Sequence, residues 1–116
     1  MSTVVVKSVD LAAVRRALEA WVAALFERHP EVEDVVVFGS FADGRWAPGS
    51  DLDVFVTLSS SDRPVADRVA SLLPGSFPVG VDLFPFTRDE IAARAGSPLL
   101  DAVARSSWRY ARPAGP

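Results

Sequence analysis

The amino-acid sequence predicts an α/β (α+β) fold, in which helices pack on a small mixed β-sheet. Two observations indicate this fold class. Apolar residues recur at spacings of three and four from position 11 to position 26, which is typical of one long amphipathic helix. Short apolar runs at residues 35–38, 52–58 and 79–84 are typical of buried strands. We expect the long helix on one face of the sheet, and the sequence leaves the strand order open.

The first half of the chain is predicted to hold one helix and two strands. Asp10 is the expected N-cap of the helix, which ends near His29 and Pro30. The run at residues 35–38 consists of β-branched residues and a phenylalanine, as in a buried strand. The remaining segments are an extended lead-in at residues 4–6, a loop with three glycines and a proline at residues 39–50, and a second strand at residues 52–58.

The second half is predicted to alternate helices with short strands. Each helix begins at a capping residue and ends at a turn signal. The last residues of a turn at 59–62 are predicted to cap a helix over 64–73, which ends at Pro74-Gly75. A strand follows at 79–84, and then a short helix that is capped by Thr87 and ends at Ala95. The last elements are a helix over 99–106, capped by Ser97-Pro98, and an edge strand at 108–110.

Length and charge limit the kinds of function that the chain can have. With 116 residues it is predicted to form a single domain, with frayed ends at residues 1–8 and 112–116. The net charge is −3, and the basic residues, 11 arginines and Lys7, are scattered along the chain. Binding to long nucleic acid is therefore not expected, because no run of cations could neutralise its phosphates.

The composition also bears on compartment and redox chemistry. The chain has no cysteine, which excludes disulfides and thiolate metal sites. The first ten residues lack the pattern of a signal peptide. No apolar segment approaches the roughly 20 residues that cross a bilayer. We therefore expect a cytoplasmic protein without a membrane partner, and an oligomer remains open.

Two acids, Asp51 and Asp53, stand one residue apart at the start of the second predicted strand. Side chains alternate along a strand, so both carboxylates are expected on one face. At about 4 Å and an effective dielectric near 20, their repulsion is on the order of 4 kcal/mol. Such a pair usually has a cation between its members or shares a proton. The alternative for an arbitrary Asp-x-Asp is a solvent-exposed strand edge.

Further candidates surround this pair. Gly39 and Ser40 follow the first strand, where a tight turn presents a hydroxyl and free N–H groups to an anion. Asp82 lies in a third apolar strand, where a lone carboxylate is unfavourable unless it has a partner or an exposed position. If this strand lies beside that of Asp51 and Asp53, the three carboxylates converge, and three oxygen ligands favour Mg²⁺ or Mn²⁺.

These residues carry a resemblance to a known family. Gly39-Ser40, ten further residues and Asp51-Leu52-Asp53 resemble the Gly-Ser-x10-Asp-x-Asp signature of the DNA polymerase β-like nucleotidyltransferase superfamily. The short chain is similar to the minimal nucleotidyltransferases. The resemblance implies a nucleotidyltransferase-like fold, with the two signature aspartates binding divalent metal and a third aspartate, here Asp82, completing the triad.

The resemblance further implies a nucleotide site and a mechanism. The triphosphate, with ATP as the expected substrate, would bind at Gly39 and Ser40, and Ser50 beside the acids is a further candidate. Many members carry an arginine where this chain has Asp43, and Arg45 is the candidate substitute. Nucleotidyl transfer would use two metal ions held by the acids, with Asp82 taking or orienting the proton of an acceptor hydroxyl.

The resemblance also implies a protein partner. Minimal nucleotidyltransferases often act as antitoxins to HEPN-domain ribonuclease toxins, and some transfer AMP to a toxin tyrosine. We therefore expect a chain that moves AMP from ATP onto a partner's hydroxyl. Two alternatives stay open. One is a catalytically inert antitoxin that acts as a binding module, and the other is a transferase that acts on a small molecule such as an aminoglycoside.

Overall fold

The structure is a computed structural model and describes residues 10–114. The elements are a long helix, four strands and three short helices. In chain order they are α1 (Leu11–Arg28), β1 (Val32–Phe38), β2 (Leu52–Leu58), α2 (Val65–Leu72), β3 (Val81–Thr87), α3 (Arg88–Ala93), α4 (Pro98–Arg105) and β4 (Trp108–Ala111).

The four strands form one mixed sheet in the order β3-β2-β1-β4. Strand β1 pairs antiparallel with both β2 and β4, whereas β2 and β3 run parallel. Helix α2 lies between β2 and β3 in the chain, as a parallel connection requires. This architecture confirms the predicted fold class, a small mixed sheet with helices packed on it.

The two faces of the sheet bury separate apolar clusters. On one face, Val54 and Val56 of β2 pack with Leu18 of α1 and Leu72 of α2. On the other face, Phe55 packs with residues of β1, β3 and α4. Because side chains alternate along a strand, Asp53 lies on the same face as Phe55, away from α1.

The predicted capping residues are mostly confirmed. Asp10 accepts a hydrogen bond from the Ala13 N–H at 3.1 Å. Thr87 forms a reciprocal capping box with Glu90 at the start of α3, and Ser97 caps α4. The exception is α2: its N-cap is Pro64, which has no side-chain hydrogen bond, so the predicted cap from the preceding turn is wrong.

Some predicted boundaries are also wrong. Strand β1 begins at Val32 rather than at residue 35, because Val32 and Asp34 pair with β2 on either side of an irregularity at Glu33. Strand β3 runs from Val81 to Thr87, later than predicted, and contains Pro85. Proline is tolerated there because β3 is an edge strand.

The C-terminal segment is anchored where the sequence predicted a frayed tail. The Arg112 side chain donates to the carbonyls of His29 and Val32, both at 2.8 Å, and its guanidinium lies over the Phe26 ring. The predicted lead-in at residues 4–6 lies outside the described residues. Within residues 10–114, no helix is long and apolar enough to span a membrane.

A buried ion pair joins α2 to α3. Arg68 is 6% exposed, and its guanidinium contacts both carboxylate oxygens of Glu90, at 2.6 and 3.2 Å. It also donates to the backbone carbonyls of Arg63 and Pro85. The hydrogen bond from Arg68, with that from the Thr87 N–H, lowers the pKa of Glu90 to about 2. The pair therefore holds α2 against the far end of β3.

Candidate active site

The three predicted acids lie together where β2 and β3 begin. Asp53 and Asp82 are directly paired positions of the two parallel strands, so their side chains share one face. Asp51 comes two residues before Asp53, immediately ahead of β2, and lies beside Gly80 at the start of β3. Asp51 and Asp82 are exposed, and Asp53 is half-buried. The structure thus brings these acids to one open end of the sheet.

The electrostatics of this end centre on Asp53. Partial burial raises the pKa of its carboxyl group, and the negative charges of Asp82 and then Asp51 raise it further. A carboxylate whose pKa is raised by two neighbouring carboxylates is stabilised by any cation that enters between them. A cation bound among these carboxylates would therefore be favourable, because it would offset the repulsion between them.

Two glycines lie directly under two of these carboxylates. A Cβ atom added to Gly39 would overlap Asp53 Oδ2 and would lie 3.3 Å from its carboxyl carbon. A Cβ added to Gly80 would overlap Asp51 Oδ1 and would lie 3.1 Å from its carboxyl carbon. Asp53 therefore leans toward the end of β1, and Asp51 leans toward the start of β3.

The donor set fits a hard divalent cation in its chemistry. All candidate ligands are carboxylate oxygens, which Mg²⁺ and Mn²⁺ prefer. As the side chains stand, however, no group of three or more Asp, Glu, His or Cys residues within residues 10–114 is close enough to hold a metal ion. The three acids therefore supply suitable oxygen ligands but are not arranged as a formed metal site.

The turn after β1 begins at a glycine in the left-handed region of backbone space. Gly39 has a φ of +73°, and the chain then coils so that the Asp43 N–H donates to the Gly39 carbonyl at 2.9 Å. No hydrogen bond within residues 10–114 uses the N–H groups of Ser40, Phe41 and Ala42. Such a run of free N–H groups is suited to a phosphate group.

The two other predicted nucleotide ligands are engaged within the loop. Arg45 pairs with Asp43 at 2.7 Å, and both side chains are largely exposed. Ser50 accepts a hydrogen bond from the Ala47 N–H at 2.9 Å, which closes the turn before Asp51. Asp43 therefore competes with a phosphate for the Arg45 guanidinium, and the Ser50 hydrogen bond orders the turn that leads to the acids.

Two aromatic pairs lie near this end of the sheet, one on each of its faces. Phe38 and Phe84 lie in contact, with ring centroids 5.4 Å apart, and continue the face of Asp53 and Asp82. Trp46 stacks on Phe41 with nearly parallel rings, 6.0 Å between centroids, so it covers the edge of the core. Of these two pairs, Phe38 and Phe84 share the face of the acids, where Phe38 is the β1 partner of Asp53.

One feature of the site was missed by sequence reasoning. Gly80 makes room for the Asp51 carboxylate, and its carbonyl accepts a hydrogen bond from the Leu52 N–H at 2.8 Å. The available signal was its position two residues before Asp82, which places both on one face of an extended chain.

Comparison with known proteins agrees with this geometry. The structure combines a glycine turn after β1 with paired acids at the start of β2 and β3. A family model described as "Nucleotidyltransferase domain" matches residues 19–93, which include the turn and all three acids. The chain belongs to this family, in agreement with its resemblance to the minimal nucleotidyltransferases, and its general activity is nucleotidyl transfer.

Among solved structures, the fold is similar to the crystal structure of a proposed nucleotidyltransferase from Sulfolobus solfataricus. The two share a TM-score of 0.55 and 19% sequence identity, over 94% of this chain and 90% of that chain. At this identity the likeness shows a common fold alone. No curated protein matches the chain.

Proposed function

We propose that this chain is a metal-dependent nucleotidyltransferase that moves AMP from ATP onto a hydroxyl of a partner protein. The observation that carries the proposal is the pairing of Asp53 with Asp82 across parallel strands, with Asp51 on the same open end of the sheet. The raised pKa of Asp53 supports it, because the group is better stabilised by a cation than by water alone.

Asp51, Asp53 and Asp82 are the residues that would hold Mg²⁺ or Mn²⁺. When bound, the metal neutralises charge on the phosphates and lowers the pKa of an acceptor hydroxyl. Asp53, which is half-buried on β2, fixes the position of the site relative to the sheet. Asp51 would complete the ligand set from the end of the loop that precedes β2.

The turn at residues 39–42 is the proposed binding site for the triphosphate. The free N–H groups of Ser40, Phe41 and Ala42 would donate to phosphate oxygens without a lysine or arginine. The contact between Gly39 and Asp53 joins this turn to the acids. A nucleotide bound at the turn would therefore carry its phosphates to the carboxylates.

Asp82 is the proposed acceptor of the hydroxyl proton. It is exposed, so a hydroxyl on a large partner can reach its carboxylate. The proton moves from the acceptor oxygen to Asp82 as that oxygen bonds to the α-phosphorus and pyrophosphate leaves. Asp82 is attached to an edge strand, where a partner meets no further strand.

The proposed partner is a HEPN-domain ribonuclease toxin, with this chain as its antitoxin. The support is the family resemblance together with the open position of the acids. A protein acceptor provides its own binding surface, so the transferase needs no enclosed pocket around Asp82.

A second candidate function is a catalytically inert antitoxin of the same fold. The ion pair between Asp43 and Arg45 favours it, because the one cation in the loop is already neutralised. Such a chain would block its partner by contact and would bind nucleotide weakly.

The test is transfer of label from α-labelled ATP with Mg²⁺ to a co-expressed HEPN protein or, in parallel, to an aminoglycoside. Asp53→Asn should lower transfer at least about 100-fold, the size of effect expected when charge stabilisation at a reacting phosphate is lost. Asp62→Asn, the same chemical change at the exposed turn beyond β2, is the matched control and should retain activity.

The outcomes separate the candidates. Labelling of the HEPN protein that depends on Asp53 supports the proposal, and labelling of the aminoglycoside alone overturns the protein acceptor. Protection of cells from the toxin by both the wild-type chain and Asp53→Asn, with no label transferred, would establish the inert antitoxin.

A further inference from the structure

Asp51 and Asp53 lean in opposite directions in the structure, each against a different glycine. The Asp53 carboxylate lies against Gly39 at the end of β1, and the Asp51 carboxylate lies against Gly80 before β3. This separation explains why no three acids of the described chain are grouped closely enough for a metal ion. Like charges move apart wherever the backbone leaves them space.

A substitution at Gly80 can change the position of the Asp51 carboxylate without straining the backbone. Its φ lies outside the left-handed region, so alanine can adopt the same backbone. The three atoms nearest to an added Cβ all belong to the Asp51 side chain. Alanine at position 80 therefore acts first on the place where the Asp51 carboxylate lies.

We infer that Gly80 is a positioning residue, which lets the Asp51 carboxylate withdraw from Asp53 and Asp82 while no cation is bound. The inference rests on the proposed function, since it concerns the same acids. In the metal-free protein, a Cβ at position 80 pushes Asp51 back toward the other carboxylates. Once a cation is bound, Asp51 has already turned away from Gly80, and the Cβ meets nothing.

The substitution Gly80→Ala should change stability and cation affinity in opposite directions. The metal-free protein becomes less stable, because the substitution crowds like charges. The affinity for a divalent cation increases, by about threefold to tenfold, which is the change expected from removing an off-rotamer or repulsive state of one side chain. A residue that only supported the fold would lower both stability and affinity.

The first measurement is thermal unfolding without metal. Gly75→Ala is the matched control, because an added Cβ there meets nothing within 4 Å. Relative to that control, Gly80→Ala should lower Tm by about 4 °C, the usual size for a contact of this kind in a small domain. In an Asp51→Ala background, the same substitution at Gly80 should leave Tm unchanged. A loss of Tm that persists without the Asp51 carboxylate overturns the inference.

The second measurement is the Kd for Mn²⁺, by paramagnetic resonance of the free ion. Tighter binding by Gly80→Ala than by the wild type and Gly75→Ala supports the inference, and equal or weaker binding overturns it. If the wild-type chain binds no Mn²⁺, the proposed function fails, whereas the thermal comparison still decides whether Gly80 acts on Asp51.

Discussion

Asp53 of β2 and Asp82 of β3 occupy directly paired positions in two parallel strands, on the face of the sheet opposite α1. This register places two like charges side by side at the open end of the sheet. Asp51, two residues before Asp53, adds a third. Partial burial of Asp53, together with the negative charges of Asp82 and Asp51, raises the pKa of its carboxyl group.

The first prediction concerns stability and pH without metal. The pKa of Asp53 is raised in the folded protein, so folding favours its protonated form. The wild type should lose stability as pH rises from 3.8, the ordinary value, through the raised pKa. Asp53→Asn should therefore be more stable than wild type at pH 7 and equal to it below pH 3.8.

Denaturant unfolding of both proteins across this pH range provides the measurement, with Asp62→Asn as the control for loss of one negative charge. Addition of Mg²⁺ should stabilise the wild type and not Asp53→Asn, by mass action. A gain for Asp53→Asn that is constant with pH would show that charge is not its cause.

The second prediction concerns Gly39. Gly39 and Gly44 share a φ of +73°, but only at Gly39 would an added Cβ meet a side chain, that of Asp53. Either change to alanine should cost about 1–2 kcal/mol of unfolding free energy through the left-handed backbone. Gly39→Ala should cost about 1 kcal/mol more, because Asp53 must leave its preferred rotamer. Urea unfolding of the two variants gives the difference directly.

The same two variants distinguish the effect of backbone strain on activity from the effect of the contact between Gly39 and Asp53. Nucleotide transfer should fall for Gly39→Ala and stay near the wild-type level for Gly44→Ala. Equal losses of activity in the two variants would mean that the contact between Gly39 and Asp53 has no bearing on catalysis.

The third prediction concerns the ion pair of Arg68 and Glu90. Arg68→Met should lower the free energy of unfolding by about 2–3 kcal/mol, less than for a fully buried pair because the Glu90 side chain is 34% exposed. It also leaves the Pro85 carbonyl without a donor. Arg63→Met, at an exposed position whose hydrogen bonds to Ser61 and Arg68 involve its backbone, is the control. A loss for Arg68→Met no larger than for this control would contradict the structure.

The fourth prediction concerns nucleotide affinity. Asp43→Asn should release Arg45 from its 2.7 Å ion pair and leave a cation free beside the phosphate-binding turn. Binding of ATP with Mg²⁺ should tighten by about threefold to tenfold, because exposed ion pairs contribute on the order of 1 kcal/mol. Calorimetric titration measures the Kd, and Asp62→Asn controls for net charge. Unchanged affinity would indicate that Arg45 does not approach the phosphates.

Much of the fold was accessible from the sequence because local signals agreed with tertiary packing. The apolar spacing from Leu11 onward predicted α1, and the apolar run at residues 52–58 predicted the bounds of β2. The limits of β1 and β3 were less accessible. Glu33 and Asp34 are polar residues within β1, and Pro85 is tolerated in β3 only because that strand has a free edge, which no local pattern reveals.

The residues of the candidate site could be predicted from the sequence, but their arrangement in space could be predicted only in part. Spacing alone predicted that Asp51 and Asp53 share a face, whereas the position of Asp82 beside them depends on the strand order. The roles of Gly39 and Gly80 as contacts of the two carboxylates depend on distances across strands. Such contacts have no signature in a single sequence.

The proline in β3 has a consequence for how the molecule meets others. The Pro85 carbonyl points away from β2 and accepts a hydrogen bond from Arg68, so the outer border of β3 is occupied there by a side chain from α2. Proline lacks the N–H that an incoming strand would need. Backbone pairing between the outer border of β3 and a strand of another molecule is therefore interrupted at Pro85.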